Sequence, residues 1–125
     1  MAIYVAVFLT AESKALLCSR IAPAHAIAHA GHVTMKFKPT DQEVAELQIG
    51  KLVRLQVVAV AQDDRAQAVV VLGVRSANEV AHVTISTAEG TKPAYSNELL
   101  GRGTTPLPAT FEIDGMIDTF PRSAQ

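Results

Sequence analysis

The sequence has one cysteine, Cys18, and no tryptophan in its 125 residues. A lone thiol closes no internal disulfide and completes no multi-cysteine zinc site, so Cys18 reads as a small buried hydrophobe. No apolar run approaches the roughly 18 residues that a membrane span requires. The opening stretch, MAIYVAVFLTAESK, lacks the basic segment that begins a signal peptide and reads instead as a strand. The cytoplasm is therefore the expected compartment, with no membrane partner. Strong charge of either sign is missing too: 11 Lys and Arg oppose 12 Asp and Glu, for a net charge of −1. That balance leaves no extended nucleic-acid surface. It suits a small ligand, or the end of a nucleic acid gripped at a local basic spot. Low-complexity runs and linkers are absent, and apolar residues make up 49% of the chain. One domain spanning residues 1–125 is expected, with enough apolar side chain for a real core.

What is present is mostly strand alternation. Ile3, Val5, Val7 and Leu9 share one face of a first strand, with Tyr4, Ala6 and Phe8 on the other. TAESKALLCSR then reads as a short helix capped by Thr10. IAPAHAIAHAG, broken by Pro23, is a loop or a short helical turn. In HVTMKF, Val33, Met35 and Phe37 point one way and His32, Thr34 and Lys36 the other. TDQEVAELQIG offers Val44 and Leu47 as a short helical face stopped by Gly50. KLVRLQVVAVAQDDRAQAVVVLGVR is a hairpin. With the turn at Asp63-Asp64, Ala61 faces Ala66, Ala59 faces Ala68, Val57 faces Val70 and Leu55 faces Leu72, an all-apolar face. AHVTIST is a further strand, a helix follows near Tyr95 to Leu100, and ATFEIDGMIDTF is a last strand with a bulge expected at Gly115. Pro121 to Gln125 read as a frayed tail. The expected class is α+β, with a mostly antiparallel sheet, short helices on its outer face and a central cleft lined by the polar face.

One short string occurs twice, fifty residues apart: His32-Val33-Thr34-Met35 and His82-Val83-Thr84-Ile85. A single H-x-T carries almost no information. Two copies in the same frame do: each has Val between His and Thr, a small residue before His and a large apolar residue after Thr. In a strand, residues i and i+2 share a face, so each His arrives with its Thr beside it. Two imidazoles on opposite sides of a phosphorus can activate a water and protonate a leaving oxygen. Two hydroxyls can hold the non-bridging oxygens. The pattern therefore points to hydrolysis of a phosphodiester, with His32 and His82 as the acid–base pair and Thr34 and Thr84 beside them.

The two signatures HVTM and HVTI resemble those of the two-histidine (2H) phosphoesterase superfamily. The stretch HVTIST…GTKPAYSNELL is further similar to the cyclic phosphodiesterase domain of fungal tRNA ligases and its small relatives. The resemblance implies a duplicated, bilobal fold with a central cleft. It also implies a cyclic phosphodiesterase; the two-imidazole chemistry itself requires no metal, and no cofactor is expected. Its substrate would be a nucleotide or RNA end carrying a 2′,3′-cyclic phosphate. On this reading one of His32 and His82 is the base and the other the acid.

Around the motifs, Lys36 stands two residues past Thr34 and is a candidate phosphate contact. Lys92 matches the similar stretch and is another. Tyr4 is a candidate base-stacking ring. Ser96 and Asn97 read as helix caps. His25, His29 and His32 form H-x3-H-x2-H, a spacing that invites zinc. Pro23 and Gly31 break any helix there, and the strand motif claims His32, so no metal site is expected. The rival readings are a nucleotide- or RNA-end-binding module that does not turn over, and a hydrolase of a signalling cyclic oligonucleotide.

Overall fold

In this computed structural model, residues 3–78 and 80–121 are described. The strands are β1 (Tyr4–Leu9), β2 (Ile27–Ala28), β3 (His32–Phe37), β4 (Leu52–Gln62), β5 (Ala66–Leu72), β6 (His82–Thr87) and β7 (Thr105–Phe120). The helices are α1 (Ala11–Arg20), α2 (Asp41–Glu46) and α3 (Tyr95–Gly101). The strands form one open seven-stranded sheet in the order β2-β6-β5-β4-β7-β1-β3, and every neighbouring pair is antiparallel. The α+β class stands. None of the described helices is long and apolar enough to cross a membrane.

Local sequence explains the boundaries. Thr10 caps α1 by accepting from the Ser13 amide at 3.1 Å. Thr40 and Glu43 make a reciprocal capping box at the start of α2. α2 stops earlier than Gly50: Gln48 already takes a left-handed conformation, φ 59°. The segment around Ile27 is a two-residue strand on the edge of the sheet rather than a helical turn. β7 begins at Thr105, four residues before the start read from the sequence. The tail expected at Pro121 to Gln125 lies, beyond Pro121, outside the described residues.

Two apolar clusters hold the sheet. The larger contains Val5, Val7, Val33, Leu55, Val57, Val69, Val71, Val83 and Ile85, with Leu17 of α1 fully buried among them. Val44 of α2 and Leu47, the residue that ends it, pack against the same cluster. The smaller joins Ala61, Ala66 and Ala68 to Leu99 and Leu100 of α3. Ala68 pairs with Thr84 and Val70 with His82, so α3 covers the His/Thr face and not the outer one. Burying each such Leu, Val or Ile contributes roughly 1.5–3 kcal/mol.

The β4–β5 hairpin differs from the register that the alternation indicates. The Asp63 carboxylate accepts from the amides of Arg65 (2.8 Å) and Ala66 (2.9 Å). This makes a four-residue connection whose first ladder pair is Gln62 with Gln67, and Ala61 then faces Ala68. A bulge at Val58 shifts the register again, so Val57 faces Val71. The apparent single apolar face is thus divided. Ala61 lies on the α3 side, while Leu55 and Val57 join the main cluster.

Gly115 is not bulged. It pairs in register with Leu9 on one side and Val53 on the other. A glycine is needed because a Cβ there would lie 2.5 Å from Val7 Cγ1 and 2.7 Å from the Phe8 carbonyl oxygen. Replacing Gly115 with Ala therefore overpacks the β1–β7 seam and should cost about 1–3 kcal/mol. Urea unfolding measures this, and an unchanged midpoint would contradict the packing described.

Candidate functional site

β3 and β6 are far apart in strand order, yet they approach each other across the concave side of the sheet. Two connections close the gap. The chain between β2 and β3 is stitched to β6 by His29 N to Ile85 O and Ala30 N to Thr84 O, both 2.8 Å, and to β1 by Leu9 N to Gly31 O at 3.0 Å. On the other side, the chain after β5 is tied to β3. The Ser76 hydroxyl donates to Thr34 O and the Ala77 amide to Met35 O, each at 2.7 Å.

Each motif strand carries one extra residue immediately after its threonine. In β3, Thr34 faces Ala6 but Lys36 faces Val5, leaving Met35 unpaired. In β6, Thr84 faces Ala68 but Ser86 faces Gln67, leaving Ile85 unpaired. The two bulges have the same effect. His and Thr stay on the concave face, and the residue two beyond Thr leaves it. The residue after that, Phe37 or Thr87, returns.

The result is a cavity of about 340 Å³ lined by His32, Thr34, His82 and Thr84 together. His29, Gly31, Phe37, Asn78, Pro93, Ala94 and Asn97 complete the lining. His82 is 8% exposed and its Nδ1 lies 2.8 Å from the Val80 carbonyl oxygen. A carbonyl only accepts, so Nδ1 carries the proton and the other ring nitrogen, Nε2, is left for chemistry. His32 is held by rings instead, stacked on Tyr4 with centroids 5.2 Å apart and tilted against Phe8 at 5.7 Å. Burial pushes both imidazoles below their ordinary value. For His32, the nearby His29 and His82 push it down further, while the Val80 bond partly offsets the effect of burial at His82. The hydroxyls differ as well. Thr84 Oγ1 is 2.8 Å from the fully buried Ser96 hydroxyl.

Other residues singled out from sequence fall elsewhere. Lys36 is not in the cavity, because the Met35 bulge turns it off the His/Thr face. There it pairs with Glu43 at 3.5 Å. Phe37 takes its place, a residue that simple alternation assigned to the core. The Tyr4 ring does not line the cavity; it backs His32 and stacks on Phe120 at 5.0 Å. Lys92 is exposed and only its neighbours Pro93 and Ala94 line the wall. Ser96 and Asn97 are not caps, since α3 begins after Ala94 without a side-chain cap. Ser96 braces Thr84, and Asn97 faces the cavity. The two residues are set in place by a clamp behind α3. Tyr95 OH donates to Asp63, and Arg102 donates to Tyr95 OH at 3.1 Å.

The three-histidine spacing does not assemble. His25 bonds the Asp63 carbonyl oxygen at 2.9 Å, away from the cavity, and His29 bonds Thr87. Among the described residues no cluster of three or more His, Cys, Asp or Glu could hold a metal ion.

No curated protein matches the chain. Residues 15–109, which include both motifs and α3, match the family described as the fungal tRNA ligase phosphodiesterase domain. The match covers well over half of the sequence, and the chain belongs to the family of fungal tRNA ligase phosphodiesterase domains.

Proposed function

We propose that this phosphodiesterase hydrolyses the 2′,3′-cyclic phosphate of a nucleotide or RNA end by metal-independent two-histidine catalysis. The observation that carries the reading is the convergence of both His/Thr pairs on one nucleotide-sized cavity. A cyclic phosphodiester seated there meets an imidazole on either side of phosphorus. A water oxygen attacks, and one imidazole takes its proton as the new P–O bond forms. The bond from phosphorus to one ribose oxygen breaks, and the other imidazole protonates that oxygen. The product is a ribose phosphomonoester, and proton exchange with solvent resets the pair. Thr34 and Thr84 donate to the non-bridging oxygens, where charge builds in the transition state.

The surroundings favour His82 as the acid and His32 as the base. The Val80 carbonyl stabilises a protonated His82 ring, whereas two neighbouring imidazoles disfavour charge on His32. Phe37, 57% exposed at the cavity wall, offers a face for the nucleobase in place of Tyr4. Lys92, next to the lining Pro93, is within reach of a phosphate at the rim. No role at the phosphate is proposed for Lys36. A duplicated two-lobed origin for the sheet is supported by the matching bulges in β3 and β6.

His32→Ala and His82→Ala should each lower kcat/KM by ~10²-fold or more, and the Thr→Ala variants by less. Phe37→Ala should raise KM for a nucleotide substrate. Lys36→Ala and His25→Ala, outside the cavity, should stay within about tenfold of the parent. Near-parental activity in either catalytic His variant would overturn the mechanism.

The pH dependence has a definite sign. Both histidines are pushed below 6.5, so the form with one proton on the pair is most populated below that pH. The profile of kcat/KM should be a bell centred on the acid side of pH 6.5. It falls at higher pH as the acid loses its proton and at lower pH as the base gains one. An NMR titration of the two rings should find His82 protonating at the higher pH. A flat profile, or an optimum well above pH 7, would contradict the assignment.

A further inference from the structure

The two-histidine mechanism leaves one imidazole of the cavity without a task. His29 lines the wall three residues before His32, fixed there by its own amide on Ile85 O and the next amide on Thr84 O. Its Nε2 lies 2.9 Å from Thr87 Oγ1. Thr87 reaches this position because the Ile85 bulge returns it to the concave side, and it is fully buried. Among the described residues, His29 is the partner of the Thr87 hydroxyl. A buried hydroxyl hydrogen without an acceptor is more costly than an idle lone pair. The hydroxyl therefore donates, Nε2 accepts, and the proton of the neutral His29 ring sits on Nδ1.

This is the reverse of His82. There Nδ1–H is consumed by Val80, and in the neutral ring the free nitrogen, Nε2, is an acceptor until it takes up the proton it delivers as the acid. At His29 the free nitrogen is a donor. The charge of the lining sharpens the point, since no Lys or Arg is among the residues that line the cavity. A bound phosphate monoanion must be met there by N–H and O–H groups.

We propose that His29 is a third functional imidazole, a substrate-binding residue whose Nδ1–H donates to a non-bridging oxygen of the phosphodiester. The proposal rests on the phosphodiesterase reading of the cavity. His29 transfers no proton in the reaction, so its loss acts on substrate affinity and not on the chemical step. Thr87 is the positioning residue that sets its tautomer.

Two substitutions separate this role from a structural one. His29→Gln keeps an amide near the Nε2 position, where it can still pair with Thr87, and removes the donor at Nδ1. His29→Asn places an amide near the Nδ1 position and abandons Thr87. KM and kcat for adenosine 2′,3′-cyclic monophosphate are measured for both, with thermal midpoints. The Gln variant should raise KM about tenfold, with kcat within about twofold and an unchanged midpoint. The Asn variant should keep KM near the parental value with a lower midpoint. Calorimetric Kd for the same nucleotide, with and without His29→Gln in a His82→Ala background, reads the contact without turnover. A parent that hydrolyses the nucleotide, with KM and Kd unmoved by His29→Gln, overturns this inference alone. A parent that binds without hydrolysis, with Kd weakened about tenfold by His29→Gln, overturns the catalytic reading and supports the contact. A parent that neither hydrolyses nor binds the nucleotide overturns both.

Discussion

One extra residue after each threonine, Met35 in β3 and Ile85 in β6, controls the site. Regular alternation would send Lys36 and Ser86 to the concave face after His and Thr. The bulges send them elsewhere, Lys36 to Glu43 and Ser86 to a buried bond with Gln67 at 2.7 Å. They also bring Phe37 and Thr87 back to the cavity side, one as an exposed ring and the other as the anchor of His29. A bulge adds local twist to a strand. A further bulge lies at Val58 in β4, in the middle of the sheet. Strands distant in sheet order then lie close enough to share one cavity.

Much of this was legible in the sequence because it depends on period and capping. The alternation of Val5 and Val7 against Tyr4 and Phe8, the Thr10 cap and the extent of α3 follow from local chemistry. The paired motifs were legible for the same reason. The bulges were not. Nothing in Thr34-Met35-Lys36 distinguishes a bulged strand from a regular one, since the extra residue is decided by pairing with Val5 and Ala6. The hairpin register was lost in a similar way. Val and Ala fill both faces of β4 and β5, so slipped registers also match apolar to apolar, and the Asp63 side chain makes the choice. Ser96 and Asn97 were misread because their residue types suit a cap, while packing of Leu99 and Leu100 sets the phase of α3.

The site is electrostatically sparse. Its lining has imidazoles, hydroxyls and two carboxamides, and its surroundings hold both motif histidines toward the neutral form. Such a cavity suits a phosphodiester, which carries a single charge, better than a dianionic monoester. The product of the proposed reaction is such a monoester, so the same feature would favour its release. The two arginines near α3 are spent on structure: Arg102 bonds Tyr95 and Glu98, and Arg65 lies over the Tyr95 ring at 5.6 Å.

The most direct test is turnover in the presence of excess chelator. The protein is incubated with EDTA and either adenosine 2′,3′-cyclic monophosphate or a short RNA ending in a cyclic phosphate, and the products are resolved by chromatography. The account predicts a ribose phosphomonoester, formed at the same rate with and without EDTA. Absence of product from both substrates, or activity that EDTA abolishes and zinc restores, would contradict it.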